Sequence, residues 1–573
     1  MAKKRNDRRF NVKNGAGSGK QIRRAENIVD TADAMADDRK QRKGNAKSKA
    51  PRGAQVSTGN HGEWWNQYPE LFDSVTNFGF ALPLGQTISY GRPNSTDNFT
   101  FAEDTVPGVC RIDFMPGPGV SGDNFAPINT ALIDLMTRMK NKQRITGNFD
   151  WADMGMYMLA IDSLRMWCKQ AARIYGIAKN MPRLNYYYPY TLLEALECPF
   201  DSIDQEFSDM RAFINQAINQ VNRYKIPSGF QFYERHAWMC EGLFVDGTEE
   251  QAQTYIFNPS RLYVFDNTVE TGSQLVATTL TEASWPAMKA QFKQMIHALA
   301  GDEDTGFISG AFMSAFDGQL EPDLPEIPED YQILPVYNED VLMQIENADL
   351  VGSIVGNTFN VTQDPSVNSG ALLYQPQVTQ GSSTGAAYGD TRWWNFKKML
   401  SFHKSKPEQM DYMKASRFKA TAINAGSIVD NSAVRISSCG TELLLAAVLY
   451  TGPAGIDADA NPPSTSVVFT NVFSDRNTYN PNSLTTQSLA DLSNSKAYFT
   501  TFLSQLAAFD WHPKVWSITG NITNPEAALD DMVIREEVHS PAFDVANWAF
   551  ISDEQLEQLN YVALTSAFKP NVG

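Results

Sequence analysis

The run DWADMGMYMLAIDSLRMWCKQAARIYG, from Asp150 to Gly176, limits the possible folds more than any other stretch. Apolar residues recur at Trp151, Met154, Met158, Ile161, Leu164, Cys168, Ala172 and Tyr175. Spacings of three and four predict a helix, with Asp150 as its N-cap and Gly176 as its stop. Met156, Tyr157, Leu159, Trp167 and Ile174 add apolar surface on the other faces, more than one neighbouring element can cover. Such a helix lies deep in a core or between subunits. At 573 residues and 42% hydrophobic, the chain can bury one large core or two to three domains.

Other segments supply the surroundings for that helix. GEWWNQYPELF marks entry into the folded body, and TISYGRP through PGVCRIDFM reads as strand-rich. A second helix is predicted over Ile203 to Tyr224, ended by KIPSG. GDEDTG and LEPDLPEIPEDY, within Gly301 to Asp330, read as an acidic, solvated connector punctuated by proline. Short Val-, Thr- and Ser-rich pieces follow as far as about residue 480, and helical patterning returns in SLADLSNSKAYFTTFLSQLAAF and SDEQLEQLNYVALTSAF. The fold class is therefore mainly α with β. Its expected organisation is an arm over 1–61, a first helical part over 62–304, a smaller β-rich insertion over 305–480 and a C-terminal helical part over 481–573.

Charge divides the chain as sharply as hydrophobicity does. The whole sequence carries 48 basic and 65 acidic residues, a formal net charge of −17. Residues 1–52 hold 16 basic residues: Lys3, Lys4, Arg5, Arg8, Arg9, Lys13, Lys20, Arg23, Arg24, Arg39, Lys40, Arg42, Lys43, Lys47, Lys49 and Arg52. Against 6 acidic residues this gives +10, which leaves −27 for the remainder. So few large apolar residues cannot offset the entropy of ordering, so the segment is expected to be disordered when free; IRRAENIVDTADAM is the one conditional helix in it. Its expected partner is a nucleic acid, bound through phosphates with little regard to sequence, against the alternatives of a solvated tail, an import signal or an expression leader.

Several motifs that suggest chemistry fail on inspection. NGAGSGKQ resembles a phosphate-binding loop, but Asn14 stands where the first glycine belongs and Gln21 where a hydroxyl should hold magnesium, and no buried strand precedes it. Gly117, Gly119 and Gly122 form a G-x-G-x-x-G after the strand Val109 to Met115. Pro118 removes a donor inside it, however, and Lys142 occupies the place of the acidic residue, which leaves a glycine-rich turn. His236 and Cys240 share a helix face without a second ligand pair, and the remaining histidines, His61, His297, His403, His512 and His539, are isolated. A packed His236 is therefore expected rather than a metal ligand.

Neither G-x-S-x-G nor H-E-x-x-H occurs, and the acidic connector lacks a calcium-loop pattern. No catalytic residue, metal or cofactor is assigned. The five cysteines, Cys110, Cys168, Cys198, Cys240 and Cys439, have no C-x-x-C spacing and are expected to be reduced thiols. The longest apolar run, Leu443 to Tyr450, is too short to span a membrane, so a soluble, unsecreted protein without a membrane anchor is expected. The tryptophan pairs Trp64-Trp65 and Trp393-Trp394 read as core residues.

VPGVCRIDFMPGPGVSGDNFAPIN (Val106 to Asn129), GNFDWADMGMYMLAIDS (Gly147 to Ser163), RIYG (Arg173 to Gly176) and IPSGFQFYERHAWM (Ile226 to Met239) resemble, in wording, order and spacing, the corresponding stretch of picobirnavirus capsid proteins. The resemblance covers roughly residues 106–260. It implies a helical shell domain with a β-rich protruding domain, and self-assembly as two-fold dimers into an icosahedral particle around segmented double-stranded RNA. By that reading the chain is a structural protein of the virion, assembled in the host cytoplasm, and its partners are itself and viral RNA held by the arm. Two other classes fit the same residues: a coat protein of another double-stranded RNA virus or phage, and an intracellular enzyme with a basic targeting tail.

Overall fold

The computed structural model describes residues 87–93, 99–105, 107–142, 149–179, 187–203, 206–247, 253–269, 272–351, 353–354, 356–363, 366, 370–379, 399–404, 406–423, 434–438, 440–451, 465–469, 472–474, 506, 509–513, 516–519, 533–536 and 548–569, with Tyr68. Trp64, Trp65, Trp393, Trp394, Cys439, His61, His539 and most of the helix expected over 488–509 lie outside them, as does the whole of 1–52.

The helix predicted from Asp150 is present as α2, Trp151–Lys179, after α1, Pro127–Lys142. Asp153 caps it by accepting from the Asp150 backbone N–H at 2.9 Å. All of its faces are covered within the chain. Around it pack α1, α3 (Tyr187–Ala195), α5 (Phe207–Val221), α6 (Gln231–Glu241) and α7 (Trp285–Ala300), with α4 (Phe200–Ile203) beside α7. The choice between core and subunit interface falls to the core, so the all-round apolarity of α2 is no argument for a dimer. Trp167 shows how dense this packing is: its ring lies 4.6 Å from Phe292 and 6.2 Å from both Phe213 and Trp285, and its indole N–H donates to the Met288 carbonyl at 3.1 Å.

Gly176 does not stop the helix, which runs on to Lys179. A Cβ there would sit 2.9 Å from the Tyr331 ring, so the glycine admits a crossing segment instead.

The strand-rich entry is present as β1 (Thr87–Pro93) paired antiparallel with β2 (Phe99–Thr105), then β3 (Pro107–Pro116). β3 is an inner strand of a six-stranded sheet, together with β4 (Phe244–Val245), β5 (Thr254–Pro259), β8 (Val336–Tyr337), β16 (Glu442–Thr451) and β17 (Thr465–Phe469). Their order is β17-β16-β3-β5-β4-β8. β3 runs parallel to β5 and antiparallel to β16. Cys110, Ile112, Phe114 and Met115 are all fully buried, as a strand covered on both faces requires.

A second sheet, order β11-β10-β7-β6, is made of β6 (Leu262–Asp266), β7 (Gln274–Thr278), β10 (Val361–Gln363) and β11 (Leu372–Leu373). A third, order β14-β15-β12-β9, uses β9 (Ser353–Ile354), β12 (Gln377–Thr379), β14 (Ala420–Ile423) and β15 (Val434–Ser438). β13 (Met399–Ser401) pairs with β21 (Trp548–Phe550), and β18 (Val472–Ser474), β19 (Trp516–Thr519) and β20 (Val533–Glu536) form a further small sheet. The middle of the chain is thus β-rich, with the short helices α9 (Glu339–Glu346) and α10 (Gln409–Ala415) between strands. The last helix, α11 (Asp553–Phe568), begins with a capping box between Ser552 and Gln555, the S-x-x-Q signature in SDEQLEQL.

Two expectations need correction. GDEDTG is not connector: Asp302 accepts from the Thr305 backbone N–H at 3.0 Å and opens α8, Glu303–Ala315. LEPDLPEIPEDY is a strap rather than a solvated link. Leu324 and Ile327 are buried, and the strap's backbone is read by an asparagine row on α5 at spacings of four and three. Asn215 donates to the Ile327 carbonyl at 3.1 Å and accepts its N–H at 2.7 Å; Asn222 does the same for Leu324, both at 2.9 Å; Asn219 donates to Glu326 at 2.7 Å. Proline removes competing backbone donors and pre-extends the strap, which makes it easier to seat. Within the stretch 305–480, β16 pairs with β3 in the central sheet.

The double variant Asn215→Ala/Asn222→Ala removes both paired contacts. It is expected to open the strap to limited proteolysis between residues 320 and 333 and to lower stability by about 1–3 kcal/mol, read from denaturant midpoints.

Candidate functional site

The described chemistry is concentrated inside the core. Helix α2 is apolar nearly everywhere yet carries Asp162 and Arg173, exposed by 2% and 0%. Charges so deep persist only when neighbouring groups answer them. Asp162 meets His236 of α6, Oδ2 to Nδ1 at 2.6 Å. The other ring nitrogen of His236 lies 3.1 Å from the Thr441 hydroxyl and 3.4 Å from Glu442 at the start of β16. Glu442, fully buried, also accepts from Arg235 Nε at 2.7 Å, and Arg417 approaches it at 4.0 Å. The junction ties together three elements that are remote in sequence.

A second path runs from the same helix. Gln170 donates to Asn258 on β5 at 2.9 Å, and Asn258 reaches Asp113 on β3 at 3.4 Å. Asp113 pairs with Arg111 at 2.8 Å, and Arg111 donates to the Ala195 carbonyl at 3.0 Å and to Glu197 at 3.3 Å. Arg173 acts as a pin: its guanidinium donates to the carbonyls of Met239, Gly242 and Phe257 at 3.3, 3.0 and 2.8 Å. Burial draws its pKa down to about 10, still charged at neutral pH.

Burial opposes the charge on His236, but the Asp162 carboxylate and its hydrogen bond, with Glu442 adding to them, outweigh it and raise the imidazolium to about 9. Burial likewise opposes the Glu442 carboxylate, and Arg235, His236 and Arg417 overcome it and hold the group well below 4.5. At 1% exposure His236 has no solvent path for a substrate. It is packed, as the sequence suggested, and among the described residues no group of three or more His, Cys, Asp or Glu is placed to hold a metal. Cys240 is also buried, with its thiol pushed to about 12 by desolvation, as are those of Cys168 and Cys198.

The glycine-rich turn is filled by the protein itself. A Cβ on Gly117 would meet the Tyr374 ring, and one on Gly119, at φ +74°, would come within 2.6 Å of Leu564 of α11. Ser121 and Tyr374 exchange backbone hydrogen bonds at 2.8 Å across this turn. It serves as a packing corner.

All sixteen basic arm residues, Lys3 to Arg52, lie outside the described residues, so the geometry brings none of them together. Sequence reasoning missed the roles of Asp162, Arg173 and Glu442. A charge inside an all-round apolar helix was the available signal for the first two; Glu442 gave none, because its partners come from two other segments. No helix among the described residues is long and apolar enough to cross a membrane.

The junction sets the pH response of the fold. His236 is raised from 6.5 to about 9, so its contribution is complete below pH 6.5 and is lost as pH rises through about 9. Glu442 is depressed, so its contribution is present above pH 4.5 and is lost on acidification. Melting temperatures measured from pH 4 to 10 should peak between about 5 and 6.5 and fall on the alkaline side. Asp162→Asn should flatten that alkaline fall. Glu442→Ala, which strands Arg235 and His236 as buried cations, should cost on the order of 3–5 kcal/mol at neutral pH.

Comparison with known proteins agrees with this architecture. The family model described as Picobirnavirus, Capsid protein, matches residues 64–525. A capsid protein precursor of human picobirnavirus (strain Human/Thailand/Hy005102/-) is 27% identical over 552 residues, covering 91% of this chain and 93% of the relative. The X-ray crystallographic structure of the picobirnavirus capsid shares the fold, with a TM-score of 0.70 at 19% identity over 88% of this chain and 98% of that one. With most of its length matched by the family model, this chain belongs to the picobirnavirus capsid protein family.

Proposed function

We propose that this capsid protein assembles as two-fold dimers into an icosahedral shell that encloses segmented double-stranded RNA, and that residues 1–52 hold the RNA without sequence preference. The observation that carries the reading is the division of charge: +10 in the first 52 residues against −27 in the rest. A shell of acidic bodies repels packaged RNA, and one basic arm per subunit on the inner face supplies counter-charge where the polyanion lies. A protein that belongs to a capsid family and buries its charged groups in structural junctions is suited to forming a wall. The reading involves no cofactor and no catalytic step. It places the protein in the virion, with assembly in the host cytoplasm.

Within this scheme the helical core around α2 and the six-stranded sheet form the shell domain. The protruding domain is drawn from the β-rich segments between about residues 353 and 550, without β10, β11, β16 and β17, which belong to the sheets packed on the helical core. Gel filtration of the full chain is the first test: particles of megadalton size support a coat, and a small oligomer alone contradicts it.

Packaging tests the arm. Deletion of residues 1–52 is expected to leave assembly intact and sharply lower the RNA that copurifies with nuclease-treated particles. Lys20→Ala alone should change RNA content little, about one phosphate contact among many. A loss of packaging from Lys20→Ala would return the glycine-lysine stretch to consideration as a specific phosphate site.

A further inference from the structure

The outer face of α8 is unusual for a surface helix. Its exposed positions between Glu303 and Asp317 are Gly306, Phe307, Gly310, Met313 and Ser314, without a charge among them. Phe307 and Met313 are about half exposed, at 49% and 51%. Gly306, next to Phe307, and Gly310, between the two, have open space where a Cβ would be. Glycine inside a helix costs backbone entropy, and here no neighbour within the chain uses the close approach it allows. Adjoining helices expose apolar residues as well. α1, which packs against α8, exposes Ile133, and α11, which packs against α1, exposes Tyr561 and Val562. On α8 itself, two half-exposed large apolar side chains among exposed positions that carry no charge are more than isolated surface residues account for.

Charge at the two ends of α8 indicates what covers this face. The N-terminal end carries Asp302, Glu303 and Asp304. At the C-terminal end Lys142 of α1's last turn, exposed, holds its Nζ 4.8 Å from the Phe316 ring centroid; Lys140, also exposed, belongs to the same turn, and Asp317 is exposed just after α8. An acidic end, an uncharged apolar middle and a basic end complement a second copy of the same surface laid antiparallel. In that arrangement Glu303 and Asp304 of one copy face Lys140 and Lys142 of the other, Phe307 packs against Met313, and Gly310 meets itself at the two-fold axis. We infer that the α8 face is the contact by which two copies of this chain pair, with α8 lying antiparallel to its counterpart. The inference rests on the assembly reading above and names the surface that reading requires.

The test uses the full chain. Gly310→Cys should give a disulfide-linked dimer on non-reducing gels after mild oxidation, whereas Asp209→Cys, exposed on α5, should not; the described native cysteines are buried and do not compete. Phe307→Asp/Met313→Asp should raise the dimer dissociation constant by roughly tenfold or more while circular dichroism and melting temperature stay at wild-type values. Glu303→Lys and Lys142→Glu should each weaken pairing, and their combination should restore part of it. If the wild type forms neither dimers nor particles, the assembly reading fails. If the wild type pairs, but the aspartate variant pairs as tightly and Gly310→Cys cross-links no better than Asp209→Cys, the copies meet elsewhere and the α8 assignment is overturned.

Discussion

Everything in the described core is arranged around the burial of two opposite charges on one apolar helix. A helix as hydrophobic as α2 could slide or rotate in its sheath at little cost, since one methionine packs much like the next. Asp162 and Arg173 remove that freedom. Asp162 is answered by a histidine on α6, and Arg173 by three carbonyls at the end of α6 and on β5. Displacement by one residue would leave a buried charge without a partner, a far larger penalty than any loss of apolar contact. The Asp162–His236 pair and the Arg173–carbonyl hydrogen bonds therefore specify register more than they add stability. The stretches that carry the family resemblance contain Asp162, Arg173 and His236 themselves.

The same logic explains how the distant part of the chain finds its place. β16 joins the central sheet more than 300 residues after β3. Strand pairing alone tolerates slips of two residues, because a strand of nearly continuous leucine, alanine and valine presents similar faces in either register. Glu442 at its first position breaks the ambiguity, since His236, Arg235 and Arg417 converge where that carboxylate must lie. The junction thus closes a loop in sequence as well as in space. It joins segments more than 200 residues apart, so its loop-closure cost is large.

What could be read from the sequence follows from whether the determining contact is local. The start of α2, the strand over Val109 to Met115, the capping box at Ser552 and the mixed helix-rich class are legible, because periodicity and caps act over a few residues. Gly176 misleads as a helix stop, because its reason for being glycine is Tyr331, brought in from a strap far along the chain. The strap misleads in turn: acidic, proline-rich composition resembles a linker, and only the asparagine row on α5 makes it a packed element. No local rule could pair Asn215 with Ile327. The packed state of His236 was legible, while the carboxylates that hold it were not.

A wall protein has to present different chemistry on its different surfaces, and this chain separates them along its length. Its interior uses charge only in closed junctions that no solute reaches. Its net positive charge is concentrated in the first 52 residues of the sequence, and the remainder is acidic and by itself repels a polyanion. The exposed positions of α8 between Glu303 and Asp317 carry no charge, so repulsion between acidic bodies is weakest there. Two bodies that each carry strong negative charge can approach only where their own charge is absent or answered by the partner. A surface with acid at one end, base at the other and apolar side chains between meets that condition in one orientation, and so sets the geometry of contact as well as allowing it.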